Sequence, residues 1–502
     1  MGESEKSLPY HHPGALLGEI TKTTPIPSKE EASSMENIQH RFFRVKYVEV
    51  LPAQYPCPEC GEEAKRNSIG ERTLQEANLD EPTFVLVRMS VCRCANAQCS
   101  RKYFRVPLPF ALPWARYTEG AKELCVSSVT RDGMPFCGVP DRVAEDFHLY
   151  PSKSTVWEWH REACDRQDLT VDYEPWVKAQ FSGVLCIDEV YDGPFCLILS
   201  TDPLNDVTVA YTLEKKTPDT QRPKMSQAWL DRHLWALKRI GIEPTVVMRD
   251  GAVVYNNGLP ETWDQARCTF HILQDITQDL LNAVGAYRKT LPDPPKRPKG
   301  RPKADAPPPV PNVKTEIWHH RYLWTSRPET IEKRDRACTH KTHSCVGHSE
   351  EEILQDLCAE HPPLQTIREC MLEIFGLFED PDATFEEIKT QYDTLCQKPT
   401  YQANPDLVKA LNHLSGDTLE KAFRFLEYEN LPRTNNHAEG KARSFRKRQK
   451  NHYRLRRSNA IDRAMKADML YHKARKQARG DQIVRLQRKG ETDQQIPMAN
   501  VA

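Results

Sequence analysis

The chain has 502 residues, which is enough for about three or four domains of ~100–200 residues each and for a sizeable core. Lysine plus arginine equals aspartate plus glutamate at 70 each, so the net charge excludes no class of binding partner. No apolar run approaches the ~20 residues of a membrane helix, and the N-terminus lacks the charged-then-apolar pattern of a secretion signal. These two absences predict a soluble, cytoplasmic protein.

Residues 1–40 are polar, contain prolines and show no sustained periodicity, so we expect them to be disordered. The whole chain contains 16 cysteines. In a cytoplasmic protein so many cysteines indicate metal ligands and buried thiols rather than disulfides.

Two cysteine pairs predict a zinc ribbon over residues 41–112. The segments CPECG and CRCANAQC each contain a pair, and the strand-like run Thr83–Val91 lies between them. Two such knuckles bring four thiolates to one tetrahedral Zn²⁺, and the predicted ligands are Cys57, Cys60, Cys94 and Cys99. Cys92 is a competing ligand because it lies two positions before Cys94, and the gap between the pairs exceeds the ~15–20 residues of many such sites. The alternative is a group of free cysteines.

Residues 113–172 show a helical pattern that is typical of a helix-turn-helix. Arg116–Val129 and Pro140–Phe147 indicate two helices, and the second has a proline in its first turn. The segment from Thr155 to Glu158 fits a capping box that opens a third helix to about Cys164. The residues expected near a DNA groove are Lys153, Ser154, Glu158 and Arg161. A plain helical linker is the alternative.

The segment FSGVLCIDEVYDG, residues 181–193, predicts a strand that is buried on both faces. Its apolar run Val184–Ile187 stops at Asp188, which we expect at the exit of the strand. An isolated carboxylate in apolar surroundings costs several kcal/mol unless it is paired or bound to a metal. Asp188 therefore needs a cation or a hydrogen-bond partner, unless it is a strand-end aspartate that faces water.

The elements after this strand predict an antiparallel meander followed by a helix and one more strand. In chain order these runs are Phe195–Ser200, Val207–Leu213, the helical Ser226–Ile240 with one apolar face, and Thr245–Met248. If the last strand pairs beside the first, Asp188 and Asp250 emerge near one edge of the sheet. This order is the ribonuclease H-like arrangement, and residues 173–290 would be the first part of such a catalytic domain.

An amphipathic helix opens at the segment RCTFHIL and continues to about Arg288. Its Cys268 and His271 are possible metal ligands, but two ligands make a poor site, so a structural role in packing or hydrogen bonding is favoured. The Pro-rich and basic segment from Leu291 to Val313 predicts an extended tether. Its KGRP sequence is similar to an AT-hook, in which Arg301 would enter the minor groove of DNA; a solvated linker is the favoured alternative.

Residues 291–430 combine this tether with a predicted helical insertion. Five potential ligands crowd into a short stretch: Cys338, His340, His343, Cys345 and His348. Their spacings match no zinc ribbon or finger, so a second zinc is the minority interpretation. Helical patterns without obvious catalytic residues follow over Ile353–Leu357, Leu364–Phe378, Phe385–Leu395, Leu407–Leu414 and Leu419–Phe425.

The segment NNHAEG predicts the start of a helix that carries one acidic residue followed by several basic residues. Asn435 or Asn436 can cap this helix, and Glu439 lies on its first turn. The basic residues that follow are Lys441, Arg443, Arg446, Lys447, Arg448 and Lys450. A carboxylate that enters a basic helix suits a site that handles phosphate with metal ions, while ordinary complementarity to the helix dipole is the alternative. Residues 431–480 would form the final catalytic helix and a basic DNA-binding tail, and residues 481–502 a flexible C-terminus.

Six motifs follow one another along the chain: the ribbon, the paired helices, the IDE strand, the RDG strand end, the CTFH helix and the NNHAEG helix. Their order resembles a DDE transposase of bacterial insertion sequences, in particular the ISL-three family. The resemblance covers roughly Cys57–His472. It implies that the catalytic carboxylates are Asp188, Asp250 and Glu439. It also implies that they hold two Mg²⁺ about 3.5–4 Å apart for in-line displacement at phosphate, first cleaving and then joining DNA.

The resemblance further implies partners and assembly. The ribbon and the helix-turn-helix would recognise the terminal inverted repeats, and the basic residues after Glu439 would hold phosphates of transposon ends and target DNA. A homodimer or larger assembly would form on this double-stranded DNA, in the nucleoid. Two rival functions remain: a catalytically silent DNA-binding regulator derived from a transposase, and a structure-specific nuclease that cuts without joining.

Overall fold

The computed structural model describes residues 37–40, 43–192, 194–215, 225–293, 312–334, 336–339, 343–451 and 457–490. Several predictions lie outside these residues: those for residues 1–36, for Arg301 and most of the tether, for His340 and for residues 491–502. The chain divides into two compact units, Met1–Cys164 and Asp165–Ala502. Within the described ranges, no helix is long and apolar enough to cross a membrane.

The first unit contains a six-stranded sheet. Its strands are β1 (Asn37–His40), β2 (Phe43–Val50), β3 (Gln54–Pro56), β4 (Glu63–Glu76), β5 (Thr83–Arg93) and β6 (Tyr103–Arg105). They lie in the order β1-β2-β5-β4-β3, with β6 also beside β5. Alternating residues of β5, including Val85, Val87 and Met89, are buried on one face, as the strand prediction requires. The expected disorder is wrong for Asn37–His40, because these residues pair antiparallel with β2.

Three helices follow in the first unit: α1 (Glu119–Thr130), α2 (Val139–Phe147) and α3 (Lys153–Asp165). They surround a small core that includes Cys125, Val143 and Val156. The predicted capping box is wrong, because the Ser152 hydroxyl accepts the Thr155 N–H at 3.1 Å and α3 therefore begins at Lys153. The three predicted helices are otherwise present within a few residues of their expected bounds.

The second unit contains a five-stranded sheet of mixed direction. Its strands are β7 (Val184–Asp192), β8 (Phe195–Asp202), β9 (Val207–Lys215), β10 (Val246–Arg249) and β11 (Asp264–Arg267). They lie in the order β11-β10-β7-β8-β9. The first three are antiparallel, and β10 is parallel to β7, as predicted. Asp188 is not at the exit of its strand, because β8 stays paired with β7 as far as Asp192.

Helices cover both faces of this sheet and continue into a helical block. They are α4 (Leu169–Asp172), α5 (Glu174–Gln180), α6 (Gln227–Ile240), α7 (Val254–Gly258), α8 (Thr269–Thr290), α9 (Val313–His319), α10 (Pro328–Arg334), α11 (Glu350–Glu360), α12 (Pro362–Gly376), α13 (Phe385–Gln397), α14 (Pro399–Gln402), α15 (Pro405–Asn412), α16 (Asp417–Ala422), α17 (Asn436–Asn451) and α18 (Ser458–Arg479), with 3-10 turns at Arg321–Thr325 and Arg424–Glu427. The five helical patterns predicted after residue 350 are present, the last of them divided between α16 and a 3-10 turn.

The side chains of β7 alternate between two hydrophobic cores. Val184 and Cys186 pack into a core shared with α8 and the helical block, while Leu185 and Ile187 pack into the core beneath α6. The helical block is thus continuous with the core of the sheet. This packing fixes β7 from both sides around Asp188.

The expectation of a flexible C-terminus is wrong for residues 481–490. The Val484 N–H donates to Asn205 Oδ1 at 2.9 Å, and the Leu486 N–H donates to the Ser182 carbonyl at 2.9 Å. These bonds satisfy backbone groups of the terminal segment, so it is held along the second unit.

Candidate functional site

Two neighbouring strands bring Asp188 and Asp250 to one point of the sheet. The parallel register pairs Met248 of β10 with Cys186 of β7. Two residues further along, Asp250 has just left β10, while Asp188 is still held in β7 by its pairing with β8. Because parallel strands keep equal spacing, this register brings Asp250 toward the part of β7 that carries Asp188.

Asp188, Asp250 and Glu439, called the carboxylate cluster below, are linked by their charges. Burial raises the pKa of Asp188 to about 6, and the negative charges of Asp250 and Glu439 add to this rise. His271 acts in the opposite direction. Since such effects weaken with distance, Asp250 and Glu439 lie within electrostatic range of Asp188.

Asn435 fixes the helix that carries Glu439. Its side chain is fully buried, and its Nδ2 donates to the carbonyl of Ile187, the residue before Asp188, at 3.1 Å. The Asn435 N–H donates to Cys268 Sγ at 3.2 Å, and its carbonyl accepts the Glu439 N–H at 3.2 Å. The residue predicted as a possible helix cap therefore ties the first turn of α17 to β7 and to the start of α8.

Apolar residues at helical spacing hold α17 on the same face of the sheet. Ala438, Ala442 and Phe445 are buried, and the last two share a core with Val190 of β7. By strand alternation Val190 and Asp188 lie on one face. Burial of this helix stripe holds the first turn of α17, which carries Glu439, against the face of β7 that carries Asp188.

Cys268, His271 and Glu439 form a compact polar group beside the aspartates. Their ligating atoms lie within 4.8 Å of one another, and Glu439 Oε1 is 3.6 Å from His271 Nε2. A hydrogen bond with Cys268 is the main reason that the pKa of His271 rises to about 9, with help from Glu439 and Asp250. Burial opposes ionisation of Cys268, but hydrogen bonds from His271 and from the Asn435 N–H outweigh it and lower its pKa. The pair therefore hydrogen-bonds at the start of α8 and places a cation beside Glu439.

Glu189 is a fourth carboxylate that the sequence reading missed. It lies on the opposite face of β7, where the Tyr255 hydroxyl donates to Glu189 Oε1 at 2.8 Å. Burial raises the pKa of Glu189 to about 7, and the charge of Asp250 contributes. The sequence shows Glu189 directly after Asp188, but strand alternation predicts that its side chain points to the face opposite the predicted site. Nothing in the sequence singled out Tyr255.

Buried Arg249 and partly buried Arg267 support the segment around Asp250. The guanidinium of Arg249 is almost fully buried and donates to the Asp250 carbonyl at 3.1 Å and to Gln265 Oε1 at 2.9 Å. Arg267 lies so close that a Cβ on Gly251 would be 2.6 Å from its Nη2. The RDG sequence therefore combines a positioning arginine, the acid and a glycine against which the Arg267 guanidinium packs closely.

The carboxylate cluster fits a divalent cation. Glu439 Oε1 is shielded from solvent and has no hydrogen-bond partner among the residues that the structure describes. A buried oxygen of this kind needs a partner, and burial together with the charges of Asp250 and Glu439 disfavours the ionised form of Asp188, which a bound cation would offset. Hard carboxylate oxygens suit Mg²⁺. Asp188, Asp250 and Glu439 are the residues that could hold it.

The basic residues of α17 divide into two groups. Lys441 Nζ lies 2.8 Å from Asp206 Oδ1, and only 14% of its side chain is exposed. His437 also contacts Asp206, at 2.6 Å, and with Lys441 it holds the pKa of Asp206 far below its usual range. Arg443, Arg446 and Lys447 are exposed, and no acidic partner is found for them in the described part of the chain.

The predicted groove-facing residues of α3 share one side of that helix. Lys153, Ser154 and Glu158 are exposed, and the guanidinium of Arg161 lies 5.0 Å from the ring centroid of Trp157. Trp157, which the sequence reading did not select, is 44% exposed. This side therefore combines positive charge with an aromatic ring.

The four predicted ribbon cysteines come together. Sulfurs that are each ~2.3 Å from one tetrahedral Zn²⁺ lie ~3.8 Å apart. Here Cys57 Sγ is 3.8 Å from Cys99 Sγ, Cys60 Sγ is 3.5 Å from Cys94 Sγ, and all four lie within 4.8 Å of one another. The cluster could hold zinc.

Backbone hydrogen bonds favour the thiolate form of Cys57, whereas burial raises the pKa of Cys94, and the competing ligand Cys92 lies outside the four-sulfur group. Backbone N–H groups of Cys60 and Glu59 lower the pKa of Cys57 to about 7, which favours the metal-binding thiolate. Gly61 adopts φ +75° at the end of this knuckle. Cys92 lies outside the four-sulfur group and packs in the small core beneath it.

Comparison with known proteins leaves the family open. No protein-family model matches this chain, and no curated protein matches it. Among solved structures, the chain is similar to a Drosophila P element transposase strand transfer complex, with 12% identity and a TM-score of 0.35. The match covers 70% of this chain and 91% of that chain. At this TM-score the likeness carries no argument, so function is argued below from the site itself.

Proposed function

We propose that this chain is a metal-dependent DNA transposase of the DDE type, similar to the ISL-three family. One observation supports the proposal: Asp250 and Glu439, from distant segments, are both near enough to Asp188 for their charges to raise its pKa. Three antiparallel strands, a helix and a parallel strand beside the first support a ribonuclease H-like catalytic domain, formed by residues 173–290 and 431–480.

In this proposal Asp188, Asp250 and Glu439 hold Mg²⁺. Bound Mg²⁺ would neutralise phosphate charge and make a water or a DNA 3′-hydroxyl more nucleophilic. Asp188 and Asp250 are held by strands, and Glu439 is held through Asn435, so the acids keep their positions without substrate. The His271 cation lies beside Glu439, which orients that carboxylate and adds positive charge near an incoming phosphate.

The DNA partner is inferred from charge and exposure. Arg443, Arg446 and Lys447 follow Glu439 on the same helix, are exposed and are free of acidic partners in the described ranges, so they would bind backbone phosphates. Lys441 is assigned to Asp206 instead. Residues 41–112 would form the zinc ribbon and residues 113–172 the helix-turn-helix, with the exposed side of α3 reading the terminal repeats. Two transposon ends brought together would require a homodimer or larger assembly.

The products formed from DNA test this function. Purified chain with Mg²⁺ and DNA that ends in its own flanking repeats should give both nicked ends and joined strand-transfer products. Nicks without joining would identify a structure-specific nuclease, and binding without either product would identify a silent regulator. Either result overturns the proposal.

A further inference from the structure

A second group of metal-ligating side chains lies in the helical block. Cys338, His343 and Cys345 belong to the loop between α10 and α11, and His320 directly follows α9. All four are buried, and their ligating atoms lie within 4.8 Å of one another. None of them belongs to the carboxylate cluster or to the ribbon.

The distances in this group match tetrahedral coordination. A sulfur ~2.3 Å and a nitrogen ~2.0–2.1 Å from one tetrahedral Zn²⁺ lie ~3.6 Å apart. Cys338 Sγ is 3.7 Å from His343 Nδ1, and Cys345 Sγ is 3.7 Å from His320 Nε2. Both pairs are therefore spaced for a shared ion at the centre of the group.

The surroundings orient His343 as a metal site requires. His343 Nε2 shares a hydrogen bond of 2.9 Å with His319 Nδ1, which leaves Nδ1 of the same ring facing Cys338. Hydrogen bonding of the second ring nitrogen is the usual way in which a protein orients a metal-binding histidine. Glu316, only 2% exposed, accepts both the N–H and the hydroxyl of Ser344 at 2.7 Å. That carboxylate anchors the residue between His343 and Cys345.

The backbone of the loop is bent around the same four side chains. The Cys338 N–H donates to the His348 carbonyl at 2.9 Å, and the Gly347 N–H donates to the Cys338 carbonyl at 2.9 Å. Gly347 adopts φ +88°, which a residue with a side chain rarely does. The loop is thus shaped locally, and its inner face consists of thiols and imidazoles that are buried beside apolar residues such as Ile317 and Ile353.

We propose that His320, Cys338, His343 and Cys345 bind one structural Zn²⁺, separate from the ribbon zinc. Two thiolates with two imidazoles in a tetrahedral arrangement are typical zinc ligands. Because all four ligands are protein side chains and all are buried, no position is left for substrate or water, which is the pattern of a structural rather than a catalytic site. The ion fastens the loop before α11 to the end of α9. The inference does not depend on the proposed transposase activity.

Sequence spacing alone could not identify this ligand set. The cysteine and histidine cluster predicted from sequence contains three of the four ligands, but His320 lies well before it in the chain. His348, which belonged to that cluster, instead faces Asp356 at 3.1 Å. The fourth ligand appears only when α9 folds against the loop.

Metal content and the identity of the zinc ligands test the site on the full chain. Purified wild-type protein should contain two zinc ions per chain, and X-ray absorption should give an average shell of three sulfurs and one nitrogen. The double variant Cys338→Ser/His343→Ala should retain one zinc with four sulfurs. The variant Cys60→Ser should retain one zinc with two sulfurs and two nitrogens. His348→Ala, in the same loop, is the matched control and should retain both ions.

One zinc per wild-type chain with an all-sulfur shell would overturn the proposal, as would two zinc ions in the Cys338→Ser/His343→Ala variant. If that double variant fails to fold, the wild-type and Cys60→Ser spectra still decide the question. They then show whether a mixed sulfur and nitrogen site is present.

Discussion

The zinc ribbon and the carboxylate cluster are both candidate metal sites, but the chain supports them in different ways. The core beneath the ribbon is small and consists largely of its own cysteines with Ala64, Phe104 and Val106. The carboxylates stand on a sheet with a large hydrophobic core on each face. The ribbon should therefore need its metal to fold, whereas the cluster should form without metal, at an electrostatic cost.

The largest expected effect of this difference is in the ribbon. Cys60→Ser, or a strong chelator, should unfold residues 54–106, because zinc binding supplies about 10–16 kcal/mol in comparable modules. Hydrogen exchange of the full chain should show loss of protection there, while β7 and β10 stay protected. Cys92→Ala is the matched control and should keep the zinc. Protection that survives metal removal would mean that the ribbon folds by its own core.

The electrostatic cost of the cluster should appear as a pH dependence of stability. Because the pKa of Glu189 is raised to about 7, folding favours its protonated form, and the folded state loses stability as pH rises from about 4.5 to 7. Glu189→Gln keeps an acceptor for Tyr255 but cannot ionise. In chelator the variant should therefore gain stability relative to wild type over that range, by up to about 3 kcal/mol.

Denaturant unfolding at a series of pH values measures this difference. Glu243→Gln, a change at an exposed glutamate, is the control and should follow the wild-type profile. A Glu189→Gln difference that does not change with pH would contradict the electrostatic account.

The next effect concerns the residue that positions Glu439. Asn435→Ala leaves the Ile187 carbonyl without its donor and should cost about 1–3 kcal/mol of unfolding free energy. It should also lower DNA cleavage more than DNA binding, because Glu439 loses its fixed place. The neighbouring Asn436→Ala, at an exposed position, is the control. Equal losses of DNA cleavage in Asn435→Ala and Asn436→Ala would contradict the positioning role of Asn435.

The smallest effect is expected from the basic residues of α17. Replacement of Arg446 and Lys447 by Ala should reduce the slope of log affinity against log salt by ~1 per lost phosphate contact. Binding of unrelated DNA sequences should weaken by similar factors. Lys421→Ala is the control, since Lys421 is paired with Asp417 in the helical block. An unchanged slope would place Arg446 and Lys447 on a solvated face.

The part of the site that follows from local pattern was predictable. The apolar run before Asp188 and the strand before Asp250 identify two buried strands, and their parallel pairing follows from the order of elements. The asparagines before Glu439 marked a helix start. The strand length was not predictable in this way, because β7 continues past Asp188 only through its pairing with β8.

The features of the site that the sequence did not predict depend on contacts between distant segments. The Asn435 side chain bonds to β7 rather than to its own helix, and Lys441 is neutralised by Asp206. Glu189, on the opposite face of β7, accepts a hydrogen bond from Tyr255 and feels the charge of Asp250. Periodicity and spacing carry no information on such pairs.

The most direct test of the central claim is the cleavage rate of Glu439→Gln on DNA that carries the flanking repeats. The substitution keeps the side-chain shape but removes the charge that would hold Mg²⁺. Exposed Glu429→Gln serves as the matched control. The account predicts that Glu439→Gln binds the DNA ends normally and loses cleavage and joining, while Glu429→Gln retains both. Substantial cleavage by Glu439→Gln would contradict it and place the catalytic acid elsewhere.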